Sequence, residues 1–179
     1  SKKQGDWGEL IVERIFEASG LQRGIEFDSQ VGLRAEDGSL MKPDFILYLP
    51  GNKAVIVDSK VSLTAFERFC ASEDDSAKNS ALQGHVQSVR KHVEELRSKN
   101  YTNILGNKTL DFVIMCIPLE PAYQTAFQAD QNLVYDLAKA NVNVAITGPT
   151  TLMITLKLIA QIWRRENEKR NAEFIADRA

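Results

Sequence analysis

A chain of 179 residues, 44% of them hydrophobic, is long enough to bury a core, so we expect one domain over 1–179 rather than a disordered segment. Its formal net charge of −2 argues against a strongly basic nucleic-acid binder, although a divalent cation at clustered carboxylates would reverse the local sign. No apolar run approaches the ~20 residues that span a bilayer, and the start lacks the features of a signal peptide. The missing initiator Met and the charged helical ending indicate a piece of a longer protein.

The first predicted elements are a helix and three extended segments. Apolar residues at helical spacing predict a helix over 4–19. Residues 26–33 indicate a first strand, and the apolar runs 45–49 and 54–57 indicate two more. Because these two runs are almost continuously apolar, we expect strands covered on both faces, joined as a hairpin by the Pro-Gly-Asn sequence at 50–52.

The second half of the chain is predicted to be mostly helical. Helices are expected over 62–71 and 78–99, followed by a buried strand over 111–117. Two short helical stretches, an extended piece at 142–146 and a long helix starting near Pro149 complete the chain. The order of helix, three strands, helix, strand and further helices predicts an α/β fold with a mixed sheet.

The sequence contains two cysteines. Cys116 lies in an apolar run and is interpreted as a small core residue, and Cys70 lies near the end of a predicted helix. Nothing in the sequence requires a disulfide between them, although the pattern leaves one open. We therefore expect a reducing, cytoplasmic compartment.

The predicted hairpin brings two carboxylates together. If residues 50–52 form the loop, Leu49 pairs with Lys53, and counting back along both strands places Asp44 across from Asp58. Directly opposed residues have Cβ atoms about 5 Å apart, so the two carboxylates repel each other. A divalent cation between them would make the interaction favourable, and carboxylate oxygens are ligands that Mg²⁺ prefers. The spacing therefore predicts a magnesium site.

Two further residues follow Asp58 along the strand. Because side chains alternate, Asp58 and Lys60 are expected on one face and the Ser59 side chain on the other. A lysine there can orient an attacking water or neutralise charge developing on a phosphate, and Ser59 can offer its backbone carbonyl to a metal. Taken singly, each residue is also an ordinary polar feature at a strand end. Their combination beside buried strands favours a site for phosphodiester hydrolysis.

Glu9 lies at the edge of the buried face of the first predicted helix. Glu13 and Glu17 follow at four-residue intervals, so the residues alone indicate a solvated acidic stripe with a structural role.

A resemblance gives Glu9 a different interpretation. A helical Glu, then Pro43-Asp44 on a second strand, then Asp58-x-Lys60 ending a third, resemble the PD-(D/E)XK nuclease fold. This resemblance implies a restriction-endonuclease-like core of helix, three strands, helix and strand, here with additional C-terminal helices. It also implies that Glu9, Asp44 and Asp58 hold magnesium and that Lys60 assists the attacking water.

A narrower resemblance extends over nearly the whole chain. The segments that carry it are Trp7-Gly8-Glu9, Lys42-Pro43-Asp44, Leu49-Pro50-Gly51, Val57-Asp58-Ser59-Lys60, Ile117-Pro118-Leu119-Glu120 and Pro149-Thr150-Thr151-Leu152. In this order they resemble the signature segments of the RmuC family.

The RmuC resemblance implies a bacterial DNA recombination protein, predicted to be a nuclease, that limits rearrangements at inverted repeats. The implied cofactor is Mg²⁺ or Mn²⁺, without a small-molecule cofactor. The implied partners are DNA, including branched or hairpin structures, and repair proteins. In fuller members this part is C-terminal. Fuller members carry a membrane-anchoring or coiled-coil segment before it. The resemblance therefore implies a full-length protein anchored to the inner membrane with this domain on the cytoplasmic side, or one that oligomerises through flanking helices.

The helix over 78–99 carries a basic stripe beside its apolar face. We expect His85, Arg90, Lys91 and His92 to contact the phosphate backbone of DNA. The alternative is a solvated face with partly packed histidines. For the whole chain, the alternative to a nuclease is a module on the same fold that binds DNA or a repair protein without cutting.

Overall fold

A mixed five-stranded sheet lies between two layers of helices in the computed structural model, which describes residues 2–35, 37–59, 61–101, 104, 108–139 and 141–179. The main sheet has the order β1-β4-β5-β6-β7, antiparallel from β1 to β5 and parallel from β5 to β7, and β2 pairs with β3 in a separate hairpin. The strands are β1 (Phe27–Ser29), β2 (Leu33–Arg34), β3 (Leu40–Met41), β4 (Phe45–Leu49), β5 (Lys53–Asp58), β6 (Val113–Cys116) and β7 (Val144–Thr147). The predicted α/β class with a mixed sheet is confirmed.

The helices cover both faces of the sheet. They are α1 (Lys2–Ala18), α2 (Thr64–Ala71), α3 (Asp75–Lys99), α4 (Glu120–Ala129), α5 (Asn132–Leu137) and α6 (Pro149–Arg178). Residues of α1 and α6 pack in one apolar cluster, and residues of α2 to α5 pack in another on the opposite face. No helix in the described part of the chain is both long and apolar enough to cross a membrane.

The alternation of side chains along β5 explains its continuous apolar sequence. Val55 and Val57 enter the cluster formed with α1 and α6, whereas Ile56 enters the cluster formed with α2 to α5. Strand β6 alternates in the same way. A strand covered on both faces needs an apolar residue at every position, as the sequence predicts.

The single strand predicted over 26–33 is wrong in extent. Strand β1 ends at Ser29, and Gln30 has a φ of 56°, a left-handed conformation that few non-glycine residues adopt. The chain then leaves the main sheet and forms the β2–β3 hairpin before it returns at β4. The period-two pattern of the sequence continues across this break, so it does not reveal the turn.

Helix α3 begins earlier than predicted. Asp74, with extended backbone, accepts a hydrogen bond from Ala77 N at 2.8 Å through its side chain and so caps the helix at Asp75. The helix ends where Asn100 adopts a left-handed conformation. Its residues Val89, Val93 and Leu96 pack in the same cluster as Ile56 of β5. Cys70 is exposed, Cys116 is buried, and both are free thiols.

Candidate active site at the end of the β4–β5 hairpin

The register of the β4–β5 hairpin is the one that the sequence predicts. Leu49 pairs with Lys53, and the ladder runs to the pair of Phe45 and Val57. The next position on the two strands is Asp44 on one and Asp58 on the other. Asp44 is 0% exposed and Asp58 is 1% exposed, so both carboxylates lie inside the protein. A buried carboxylate is costly unless polar groups surround it, so its partners define the site.

The hydrogen bonds of Asp44 correct one prediction. Its Oδ2 accepts from the backbone nitrogen of Ser59 at 2.9 Å and from Ser59 Oγ at 3.2 Å. The Ser59 side chain, predicted to point away from the carboxylates, therefore points to Asp44. The simple alternation rule fails because β5 ends at Asp58, and the chain turns at Ser59, whose carbonyl accepts from Val61 N at 3.1 Å.

Gln30 links Asp44 to Glu9, a role that the sequence did not suggest. Its Nε2 donates to Glu9 Oε1 at 2.5 Å and lies 3.5 Å from Asp44 Oδ1. Glu9 Oε1 and Asp44 Oδ1 therefore both lie within hydrogen-bond reach of this one nitrogen. The left-handed backbone of Gln30, with its nitrogen donating to Asp44 O at 3.0 Å, aims the amide at both acids. No local pattern marks such a residue, because the aim depends on a turn outside the sheet.

Gly8 explains how Glu9 reaches the strand ends. A Cβ at position 8 would lie 3.1 Å from Pro118 Cγ and 3.3 Å from the Ser59 carbonyl oxygen. These distances are tighter than most packing contacts, so a larger residue would push α1 away from the sheet. The Trp-Gly-Glu sequence therefore sets the distance between α1 and the end of β5, and Glu9 lies half-buried beside Gln30.

Asp58 is held from the other side by α3. His92 Nε2 donates to Asp58 Oδ1 at 2.9 Å, and His92 Nδ1 lies 3.3 Å from Glu95 Oε2. His92 is 8% exposed. The prediction that His92 contacts DNA does not fit this placement, because both ring nitrogens face carboxylates. The imidazole instead orients one of the predicted metal-binding residues.

His85 is not at the surface either. It is 0% exposed, its Nε2 donates to the carbonyl of Ala122 at 2.7 Å, and its ring centroid lies 5.4 Å from that of Phe66. A side chain without exposed surface cannot reach a phosphate. The DNA contact predicted for His85 does not fit this placement, because His85 faces α2 and α4 rather than solvent.

The two remaining basic residues differ from each other. Arg90 donates to Asp130 Oδ2 at 2.7 Å and to Asp136 Oδ2 at 2.9 Å, and the hydrogen bond with Asp130 contributes most to raising the pKa of the guanidinium. Its charge is therefore used within the protein. The side chain of Lys91 is 79% exposed and lies 4.0 Å from Glu95. Of the predicted basic set, Lys91 is the residue that presents its charge to solvent.

The predicted catalytic residues in the described part of the chain form two hydrogen-bonded groups. Glu9, Asp44 and Ser59 are connected through Gln30 and direct hydrogen bonds, and Asp58 is held by His92. Lys60 lies outside the described residues. Among those that are described, no three His, Cys, Asp or Glu side chains are grouped as a metal-binding cluster.

Comparison with known proteins gives a consistent family. The model of the RmuC family matches residues 1–179. A relative from Pseudomonas aeruginosa, named DNA recombination protein RmuC homolog, is 45% identical over 178 residues, which cover 99% of this chain and 39% of the relative. The DNA recombination protein RmuC of Escherichia coli is 44% identical over 179 residues, covering 100% of this chain and 37% of the relative. The chain therefore spans well under half the length of these relatives.

Proposed function

This chain belongs to the RmuC family, and we propose that it is a magnesium-dependent nuclease domain that cuts DNA during recombination. Its relatives are named DNA recombination proteins, which supports the process. The proposed fold is the PD-(D/E)XK nuclease core, supported by a helical Glu9 beside an antiparallel hairpin whose ends carry Asp44 and Asp58. We propose DNA with branched or hairpin structure as the substrate.

The observation that carries the proposal is the Gln30 amide between Glu9 and Asp44. An electropositive N–H group lies within hydrogen-bond reach of oxygens from both acids. The space between them therefore accommodates a group of positive character, which is what a Mg²⁺ site requires. Two carboxylates from separate elements would not be brought to one amide by chain connectivity alone. The convergence of Glu9 and Asp44 on one donor supports the proposed cation site.

Each residue has a defined part in the proposed site. Glu9 and Asp44 would hold the cation together with Asp58 and the carbonyl of Ser59. Ser59 N–H and Oγ keep Asp44 in position, and His92 does the same for Asp58. Lys60 would assist the attacking water, and Lys91 is the phosphate contact we propose on α3. When bound, Mg²⁺ supplies Lewis-acid polarisation of the phosphate and lowers the pKa of a coordinated water.

The test is cleavage of end-labelled single-stranded, duplex, hairpin and branched DNA with Mg²⁺ or Mn²⁺. Wild type is compared with Asp58→Ala and with Asp111→Ala, an exposed aspartate before β6 that serves as the matched control. We expect wild type and Asp111→Ala to cut and Asp58→Ala to leave every substrate intact. Equal cutting by all three proteins would indicate a contaminating nuclease and contradict the proposal.

Cation binding is measured separately from cleavage. Mg²⁺ at about 100 times its Kd stabilises a folded protein by about 2.7 kcal/mol, which raises the melting temperature. We expect this rise in wild type and its loss in Asp44→Asn. A melting temperature that is independent of Mg²⁺ in wild type would argue against the site.

The second candidate function is a DNA- or repair-protein-binding module that does not cut. The net charge of −2 and the engagement of Arg90 with two aspartates favour its repair-protein form, because DNA binding needs basic surface whether or not the DNA is cut. DNA binding by wild type without cleavage of any substrate would establish this alternative.

A further inference from the structure

Trp7 is an exposed aromatic residue next to the proposed site. It lies on α1 two residues before Glu9, and 42% of it is exposed. It lines a cavity of about 270 Å³ whose other lining residues are Lys3, Gln4, Leu63, Glu67 and Leu119. Nothing in the proposed hydrolysis of a phosphodiester uses an indole at this position, so the exposure of Trp7 needs its own explanation.

The Trp7 cavity adjoins the cavity of Glu9. The second cavity, of about 320 Å³, is lined by Glu9, Lys2, Val61 and Ser62 among others, and it shares Gln4 with the first. The Gln4 amide donates to Glu67 Oε1 at 3.1 Å and accepts from Thr64 Oγ1 at 3.4 Å, so its side chain bridges α1 and α2. Gln4 is therefore a fixed wall between the two cavities, and Gly8 holds α1 against the end of β5.

The chemistry of the Trp7 cavity matches a nucleobase joined to a phosphate. An indole face with Leu63 and Leu119 alongside suits a flat aromatic ring, and Glu67 and Gln4 offer polar atoms to its edge. Lys3 lines this cavity beside Glu67, and Lys2 lines the next beside Asp6 and Glu9, so the backbone phosphates would run past two lysines toward the cation proposed at Glu9. The aromatic and apolar lining of the first cavity and the wall that it shares with the cavity of Glu9 thus point to one ligand that extends across both cavities.

We propose that the Trp7 cavity is a stacking subsite for one unpaired nucleobase, next to the phosphate that would bind the cation proposed at Glu9 and Asp44. The proposal rests on the proposed nuclease function, since that function supplies the nucleic acid. A base inside a duplex has both faces covered by its neighbours, so it reaches an indole only when unpaired and unstacked. The substrate class is therefore DNA with single-stranded character at the cut, such as a strand end, a loop or a branch.

The first test uses the fluorescence of Trp7. The chain has two tryptophans, and a Trp163→Phe background leaves Trp7 as the sole reporter. The probes are a thymidine oligonucleotide and a blunt duplex of the same length, titrated with Ca²⁺ in place of Mg²⁺ so that binding is measured under conditions chosen to suppress cutting. We expect quenching of Trp7 emission by the single strand and little change with the duplex. Binding of the single strand with unchanged emission would overturn the proposal.

The second test measures affinity in three variants. Loss of one base–aromatic stack weakens binding of a single strand about fivefold to a hundredfold, so Trp7→Ala should show a loss in this range. Trp7→Phe should recover most of the affinity, whereas Tyr135→Ala, a control on α5 where the side chain is 73% exposed, should bind as wild type does. Melting curves verify that each variant is folded, and the fluorescence test does not depend on the alanine variant.

The outcomes separate the two proposals. If wild type cuts DNA but Trp7→Ala binds single strands normally, the subsite is wrong and the nuclease stands. If wild type binds single strands through Trp7 but cuts nothing, the subsite stands on the non-catalytic module. If wild type binds no DNA, both proposals are wrong. Quenching of Trp7 emission by a peptide but not by DNA would also overturn the subsite.

Discussion

His85 and His92 lie seven residues apart on the same helix, and both are almost completely buried, yet their surroundings differ. His85 packs near Phe66 and donates from Nε2 to a backbone carbonyl, while its Nδ1 has no hydrogen-bond partner among the described residues. His92 has a carboxylate at each ring nitrogen. The first histidine is part of the apolar core, and the second is part of the candidate site.

The difference comes from the elements that face α3, not from α3 itself. The helix presents the same residue type on the same side at both positions. Opposite His85 lies α4, which offers the Ala122 carbonyl, whereas opposite His92 lies the end of β5, which offers Asp58. A periodic pattern in one helix therefore identifies which residues face the protein interior but not which of them have a chemical role.

The largest expected difference between the two histidines is in their contribution to the free energy of unfolding. His85→Ala should lower the free energy of unfolding by about 2–4 kcal/mol, because it leaves a cavity and removes a buried hydrogen-bond donor. Urea denaturation measures the change, with Gln87→Ala, an exposed residue on the same helix, as the control. Cleavage per folded molecule should stay at the wild-type level. A loss of cleavage without a loss of stability would place His85 in the candidate site, and the distinction between the two histidines would be wrong.

The next effect concerns the affinity for Mg²⁺. His92→Ala should weaken it about tenfold to a hundredfold, the usual result when the hydrogen-bond partner of a metal ligand is removed. His92→Gln keeps a donor for Asp58 and should recover part of the affinity. Calorimetric titration with Mg²⁺ measures both variants, beside His85→Ala as the control.

If His92→Ala and His85→Ala change the affinity for Mg²⁺ equally, the change comes from altered packing of α3 and not from the lost hydrogen bond to Asp58. The two histidines would then be equivalent, and the hydrogen bond to Asp58 would have no special role.

The sequence was informative where a local rule and the final contacts coincide. The Pro-Gly-Asn loop fixed the hairpin register, because Gly51 and Asn52 both have positive φ and close the turn between Leu49 and Lys53. The alternation of apolar residues likewise predicted a sheet covered on both faces. From these two facts alone, Asp44 and Asp58 could be placed at neighbouring strand ends.

The rest of the site depends on contacts distant in the sequence. Gln30 meets Glu9 across 21 residues, and His92 meets Asp58 across 34. The first contact depends on a left-handed turn after β1. The second depends on the side of α3 that faces the end of β5. Neither leaves a signature in the local sequence. The same limit explains why the contacts that His85, His92 and Arg90 make inside the protein could not be predicted from the basic stripe.

A smaller effect extends the comparison to the other side of α3. Arg90→Ala should lower the free energy of unfolding by about 1 kcal/mol, since its ion pairs with Asp130 and Asp136 are partly exposed and screened. Lys91→Ala should leave stability unchanged but reduce the salt dependence of DNA binding by about one phosphate contact. Denaturation curves and binding at several salt concentrations separate the two. Equal effects of both variants on DNA binding would return Arg90 to the substrate surface.

The smallest effect is a dependence of stability on pH at the Arg90 ion pairs. The pKa of Asp136 is lowered, first by the hydrogen bond from Lys139 and then by that from Arg90. A carboxyl with a lowered folded pKa stabilises the protein fully above its unfolded pKa of about 3.9, and this contribution is lost as the pH falls through the folded value. Wild type should therefore be more stable than Asp136→Asn near neutral pH, and the two should converge as the solution is acidified below about pH 4. Asp177→Asn, at an exposed site near the end of α6, is the control for the loss of one surface carboxylate. A gap between wild type and Asp136→Asn that stays constant on acidification would mean that Asp136 acts through packing. Arg90 would then be held mainly by its ion pair with Asp130.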